Sequence, residues 1–388
     1  SYMKAYFSLS LTFLYFFLNP LLISASAGDW IPEQIQCKYH CEKNYCLKTE
    51  PPLDEDVDIL INPPFIPSKQ SVTPNFIDVF LLWDCQSLCD YQCQQLTTNM
   101  LQEKIATTDL KTQKEQELEI EQFHGKWPFV RIAYIQEFWS TVFSLGNFIP
   151  HFTALSKLNK NQNIYSKSNS NNNNNKSNNN DLLINNYKLV ALMGCCAWIS
   201  SFIFHFRDLI VTEKLDYFFA GATVLSGFYA ISVRVFVGGD KRKQTKYGKL
   251  AFSLCALIFM AHILRLYFDW SYTYNMRFNI FFGVLQYIML ITVGISNYFK
   301  YKGNKYLNVF KLSFTPIFLV FFTGLSMSFE LFDIFIPSLQ IDSHALWHCM
   351  TIWPSFKLYD FFIEDHKALM SSQKEGNLSD TTDDLKRK

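Results

Sequence analysis

Net charge is nearly absent from this chain: 35 Lys and Arg face 34 Asp and Glu, leaving a formal +1 over 388 residues. That balance gives no electrostatic reason to expect nucleic-acid binding. Glycine is scarce, at 14 residues against 38 phenylalanines. The even spread of apolar residues expected of a soluble enzyme is missing too, although 49% of the chain is hydrophobic. The apolar residues are gathered instead into runs of about 20, the length that crosses roughly 30 Å of hydrocarbon. The chain reads as a polytopic membrane protein. A Gly-x-Ser-x-Gly elbow is also lacking around Ser201, which counts against a metal-free serine hydrolase built on Ser201, His205 and Asp216.

What is present falls into an ordered series. Residues 1–27 have the form of a secretory signal, with Lys4 ahead of the apolar Ala5–Ile23 and an Ala25-Ser26-Ala27 cleavage site. An uncleaved signal anchor is the alternative, and both place the following residues outside the cytosol. Residues 28–125 form a cysteine-rich lumenal domain. Cys37, Cys41 and Cys46 make one cluster, and Cys85, Cys89 and Cys93 the other. An even number after a signal reads as three disulfides, in any of fifteen pairings, with a zinc knuckle as rival. The Pro-rich stretch from Pro51 to Pro74 reads as a loop, and the charged Lys104–Gln122 as an exposed helix.

Residues 126–363 then hold seven spans, at about 132–155, 189–206, 215–237, 250–268, 278–299, 312–332 and 344–362. Trp127 suits an interfacial belt at the entry to the first. A loop of about 157–187 contains the Asn-rich Asn169–Asn180 and reads as disordered and cytosolic. Seven spans from an external start leave the tail, 364–388, in the cytosol. The positive-inside rule agrees. Loops on the cytosolic side carry Lys241, Arg242, Lys243, Lys246 and Lys249, then Lys300, Lys302, Lys305 and Lys311; the lumenal loops 269–277 and 333–343 are poor in Lys. Two sequons, at Asn175 and Asn377, fall on the cytosolic side and are expected to stay unmodified.

The chemistry gathers at the span ends. Ser201 and His205 stand four apart in SFIFHFRDLIVTEKLD, so on a helix they share a face. Asp216 follows at the mouth of the third span, and His344 and His348 repeat the four-residue spacing in DSHALWHCM. The seven-span topology brings all five to one membrane depth on the lumenal side, where ionisable groups are costly and mark function. Three histidines from two helices with one position left open make a catalytic zinc pattern. Zinc supplies hydroxide where bulk water is scarce. Asp216 would hold the water or take its proton, and Ser201 would bond the oxyanion or the metal-bound water. His40, His124, His151 and His366 read as loop or interface residues, and His262 as structural. Glu330 and Asp333 read as a structural polar pair, with support of the site as the alternative.

These residues resemble the Per-one-like family of GPI-anchor lipid-remodelling phospholipases, itself similar to the CREST superfamily of membrane hydrolases. The likeness rests on Gly28-Asp29, the cysteine clusters, HGKWPFVR (124–131) with Gln136-Glu137, LDYFFA (215–220), FDWSYTYNM (268–276), FELFD (329–333) and DSHALWH (342–348). The superfamily pattern is Ser-x3-His, an Asp about eleven residues on, and His-x3-His in the last span; Ser201, His205, Asp216, His344 and His348 fill it.

The resemblance implies an all-α membrane protein, a seven-helix bundle behind a disulfide-rich lumenal domain. It implies zinc on His205, His344 and His348, served by Asp216 and Ser201. The implied reaction is phospholipase A2-type removal of the sn-2 acyl chain from the lipid of GPI-anchored proteins, in the endoplasmic reticulum or Golgi membrane. GPI-anchored proteins and their phosphatidylinositol lipid would be the partners, with no nucleic acid. Trp270–Tyr274 depart from the usual FDYGYNM-like segment, and the tail Lys386-Arg387-Lys388 is not a clean dilysine signal. A non-enzymatic seven-span receptor or cargo chaperone with structural zinc is the competing reading.

Overall fold

A computed structural model describes residues 26–46, 63–115, 118–170, 181–238 and 240–386. The segment expected to be a signal, before residue 26, part of the Pro-rich stretch, residues 171–180 with the Asn175 sequon, and the last two residues lie outside the described residues. The loop expected at about 157–187 is narrower than that, because helices run through Ser170 and again from Leu182. The chain divides into two compact units, one of 26–137 with 335–340 and one of 138–334 with 341–386.

In the smaller unit, a short 3-10 turn (Ala27–Trp30) leads into α1 (Pro32–Tyr45), which begins on proline, where the missing N–H costs nothing. A second 3-10 turn (Lys69–Val72) precedes α2 (Phe76–Phe80), started by a capping box between Asn75 and Asp78. Next comes α3 (Cys85–Thr107), whose N-cap Asp84 accepts from the Ser87 N–H at 2.8 Å.

The cysteines recur at four- or five-residue intervals, so each cluster lines one face of a helix. Cys37 pairs with Cys93, Cys41 with Cys89 and Cys46 with Cys85, a nested ladder joining antiparallel α1 and α3. Around it pack Val72, Trp83 and Leu88, so three cross-links staple a core of few apolar side chains. Cys46, Cys85 and Cys89 also lie at metal-site spacing, but all three are taken by the ladder.

The expected helix over 104–122 is broken in two. The first helix, α3, ends at Thr107, and α4 (Leu110–Glu115) restarts because the Asp109 carboxylate accepts from the N–H groups of Lys111 and Thr112, each at 3.1 Å. Residues 118–137 contain no helix. Here Arg131 is held between the rings of Trp83 and Tyr91, 3.2 and 3.7 Å from their centroids.

The larger unit is helical: α5 (Phe138–Ser170), α6 (Leu182–Phe206), α7 (Ile210–Phe236), α8 (Lys241–Phe268), α9 (Tyr272–Tyr301), α10 (Val309–Leu331) and α11 (Ser343–Lys386). Short strands β1 (Phe335–Ile336) and β2 (Ile341–Asp342) fall between α10 and α11. The first of these helices starts at Phe138 rather than near Ile132, because Ala133 and Tyr134 take φ of 50° and 67° and turn the chain. Among the described residues, five helices, α6 to α10, are long and apolar enough to cross a membrane.

Packing runs α5 on α6, α6 on α7, α7 on α9, α9 on α10, α10 on α11, and α11 back on α5, closing a ring. α8 leans on α7 from outside. Its Leu250, Leu254, Leu257, Met260, Leu264 and Tyr267 are exposed, as suits a helix whose outer face meets lipid. The main core fills the half of the ring holding Leu158, Tyr187, Ile231, Leu290, Leu319 and Phe362, with the rings of Tyr187 and Phe362 stacked at 4.1 Å.

Two histidines expected at loops or interfaces are buried instead. His151 accepts from Trp198 Nε1–H at 3.1 Å and meets the Tyr359 hydroxyl at 2.6 Å. Gly194 makes room for it, since a β-carbon there would overlap the imidazole. His366 bonds Asp181 at 2.7 Å and Asn161 at 3.2 Å. His262 is buried against Phe278, ring centroids 3.7 Å apart, in keeping with a structural role.

Candidate metal centre

Because successive helices alternate in direction, one end of the ring collects the start of α5, the end of α6, the starts of α7 and α9, the end of α10 and the start of α11. His205 is the penultimate residue of α6. His344 and His348 lie one turn apart in the opening turns of α11, which Asp342 begins by accepting from the Ala345 N–H at 2.9 Å. The ligand atoms of these three histidines all lie within 4.8 Å of one another. His205 Nε2 and His344 Nε2 are 3.3 Å apart. Two Zn–N bonds of about 2.0–2.1 Å at a tetrahedral angle put their nitrogens roughly 3.3–3.4 Å apart, so this pair already has the span of two ligands on one ion.

The outward nitrogens of His344 and His348 are occupied in the way such ligands require. His344 Nδ1 meets Glu330 Oε2 at 2.6 Å, and Glu330 Oε1 accepts from the Tyr272 hydroxyl at 3.0 Å. A carboxylate can only accept, so His344 carries its proton on Nδ1 and turns the Nε2 lone pair inward. His348 Nδ1 lies 3.4 Å from the Ser140 carbonyl oxygen and 3.2 Å from Ser144 Oγ. Ser144 Oγ also reaches Ser201 Oγ at 3.0 Å and donates to Ser140 O at 2.7 Å. Ser140 Oγ is buried at the same place without a hydrogen-bond partner.

Aromatic walls complete the setting. Trp198 stands edge-on to His348 at 5.0 Å, and Phe204 is tilted against His205 at 5.1 Å. His205 is 3% exposed and His348 1%, whereas the His344 side chain keeps 32% of its surface. The centre is therefore dry behind and open on one flank. The donor set, its close approach and the orienting partners fit a zinc ion.

Of the five residues singled out in the sequence, the structure brings together His205, His344 and His348, with Ser201 joined to them through Ser144. Asp216 stands in the second turn of α7, half-buried, outside the set of three ligands. Ser140 and Ser144 were missed, although their four-residue spacing at the start of a helix repeats the Ser201–His205 pattern. Glu330, for which support of the site was the alternative reading, meets His344, and Tyr272, which no local spacing marks, meets Glu330.

Residues 76–366 match the Per1-like family. The chain belongs to the Per1-like family. Protein PER1 of Saccharomyces cerevisiae is 44% identical over 366 residues, covering 89% of this chain and 94% of the relative. Protein PER1 homolog of Schizosaccharomyces pombe is 31% identical, covering 88% and 87%. A Danio rerio protein named GPI-specific phospholipase A2-like PGAP3 is 27% identical, covering 93% and 96%. No solved structure matches. The span matched in this Per1-like chain takes in all three histidines, Ser144, Ser201, Asp216 and Glu330.

Proposed function

We propose that this chain is a zinc-dependent acyl hydrolase that removes the sn-2 fatty acid from the lipid of GPI-anchored proteins. The observation that carries the reading is the 3.3 Å approach of two inward-facing Nε2 atoms, with the third imidazole closing the set. Such a cluster of nitrogens near a bilayer surface is costly unless it holds a cation. The zebrafish relative, named GPI-specific phospholipase A2-like, supports the substrate class.

His205, His344 and His348 hold the metal, which when bound supplies a Lewis acid and a source of hydroxide near neutral pH. Asp216 takes the proton of the attacking water and returns it to the leaving lysolipid oxygen. Standing outside the ligand set suits a residue that acts on water. Ser144 gives its proton to Ser140 O, so at rest the Ser201 hydroxyl donates to Ser144, which also accepts from His348 Nδ1–H. Ser201 turns its proton to the developing oxyanion when the ester is attacked. The aromatic walls exclude water from behind, so the ester reaches the centre from the flank where His344 is exposed.

The same reading makes α5 and α11 the first and last of seven spans, completing the ring formed with α6, α7, α9 and α10. The smaller unit then stands in the lumen of the endoplasmic reticulum or Golgi, where its three disulfides persist. The test is fatty-acid release from GPI lipid by the purified full chain in nanodiscs. The wild type is expected to release it and His348→Ala to release none while keeping its fold; release at the wild-type rate by His348→Ala would end the proposal.

A further inference from the structure

We infer that Glu330 and Tyr272 are positioning residues, a hydrogen-bonded strut that sets the ring of His344 and ties the loop between α8 and α9 to the metal centre. The inference rests on the metal-site reading above.

The three residues come from three helices: Tyr272 opens α9, Glu330 is the penultimate residue of α10, and His344 is the second residue of α11. Each carboxylate oxygen of Glu330 has its own donor, Oε2 with His344 Nδ1–H and Oε1 with the Tyr272 hydroxyl. The Glu330 side chain is only 12% exposed. Its place argues against a role in helix stability. In the last turn of α10 it sits at the negative end of the helix dipole, where a carboxylate is unfavourable. A largely buried acid at the wrong end of a helix is retained for what it touches, and it touches a ligand.

The contrast with His348 sharpens the point. There Nδ1 meets a serine hydroxyl and a backbone carbonyl, both neutral. His344 instead has a carboxylate, which orients the ring and raises the basicity of its inner nitrogen. His344 is also the more exposed of the two α11 histidines. With less packing to hold its ring, it depends more on a directional partner.

Tyr272 carries the connection outward. Its ring lies 6.1 Å from that of Tyr217, which is stacked on Trp270 at 4.9 Å with 15° between planes. Trp270 Nε1–H in turn donates to Glu213 at 3.3 Å. Tyr217 is the neighbour of Asp216 on α7. The strut thus links the helix start that bears Asp216 to a ligand on α11, through the Trp270–Tyr272 segment.

The experiment uses the full chain in nanodiscs, loaded with zinc or cobalt(II), and reads chelator-driven metal release and the cobalt visible spectrum. Glu330→Gln keeps the shape and one acceptor oxygen but removes the charge. It is expected to speed metal release about 10- to 100-fold and to shift the cobalt spectrum, with thermal unfolding little changed. Glu330→Asp, which restores the charge at a shorter reach, is expected to recover part of the loss. Tyr272→Phe is expected to give a several-fold effect of the same sign.

Wild-type release and spectrum in Glu330→Gln, beside metal loss in His344→Ala, would overturn the inference and leave the metal site standing. A wild type that takes up no metal would end both. Should Glu330→Gln fail to fold, Tyr272→Phe carries the test, since it removes one hydroxyl from a half-exposed side chain; unchanged release there overturns the strut.

Discussion

His205 and His344, 139 residues apart in sequence, bring their Nε2 atoms to 3.3 Å of each other at one end of the helical ring. Neither helix alone supplies a metal site. The pairing exists because α6 ends, and α11 begins, at the same level.

Ser201→Ala separates the metal from the chemistry. Ser201 Oγ bonds Ser144 and is not a ligand, so the variant is expected to retain wild-type metal content. Loss of an oxyanion donor is expected to lower fatty-acid release by about 10²- to 10³-fold. Equal loss of metal and activity would assign Ser201 to the support of His348 instead.

The far end of the ring is locked by a different device. Arg234 donates to both Asp365 oxygens at 2.5 and 2.8 Å, and Asn297 donates to the same carboxylate at 2.8 Å. Asp365→Asn would leave a buried guanidinium without its charge partner, at a cost of about 3–5 kcal/mol. A fall in the thermal midpoint of the full chain is the expected reading; an unchanged midpoint would contradict the assignment.

The smaller unit is expected to respond to pH through His124. Hydrogen bonding to Asp90 raises the His124 pKa despite partial burial, and the Asp90 and Asp29 charges add to the effect. Its contribution to stability is full below the unfolded value, about 6.5, and is lost as pH rises through the raised folded value. For Asp90, burial pushes the carboxyl up, but the His124 hydrogen bond and Lys38 outweigh it and hold it low. That contribution is present above about 4 and is lost as pH falls through the lowered value. Hydrogen exchange at residues 122–126, corrected for intrinsic rates, is expected to lose protection as pH rises from about 6.5 through the raised folded value. His124→Gln should flatten that slope, and an identical slope would remove the histidine from the account.

Peptide mapping without reduction checks the ladder. Links of Cys37 to Cys93, Cys41 to Cys89 and Cys46 to Cys85 are expected, and crossed links would contradict antiparallel α1 and α3. Loss of the Cys41–Cys89 link is expected to cost about 2–5 kcal/mol.

Much of this was legible in local spacing. The two cysteine clusters announced three disulfides, though not their pairing, and Ser201-x3-His205 with His344-x3-His348 announced the centre, because helical neighbours are written into the sequence. What escaped was non-local or disguised. Glu330 read first as half of a polar pair with Asp333, with support of the site only as the alternative, because its partners His344 and Tyr272 lie 14 and 58 residues away. Arg234 sits inside an apolar run and Asp365 just beyond another, so neither advertised the buried pair. The start at Phe138 was hidden by Ile132 and Ile135, which extend the apolar run across a turn.

The central claim is that three imidazoles hold one catalytic ion, and the zinc content of the purified chain tests it most directly. About one zinc per chain in the wild type and near none in His205→Ala, at equal fold and yield, is the expected result. No zinc in an intact, active wild type, or undiminished zinc in His205→Ala, would contradict it.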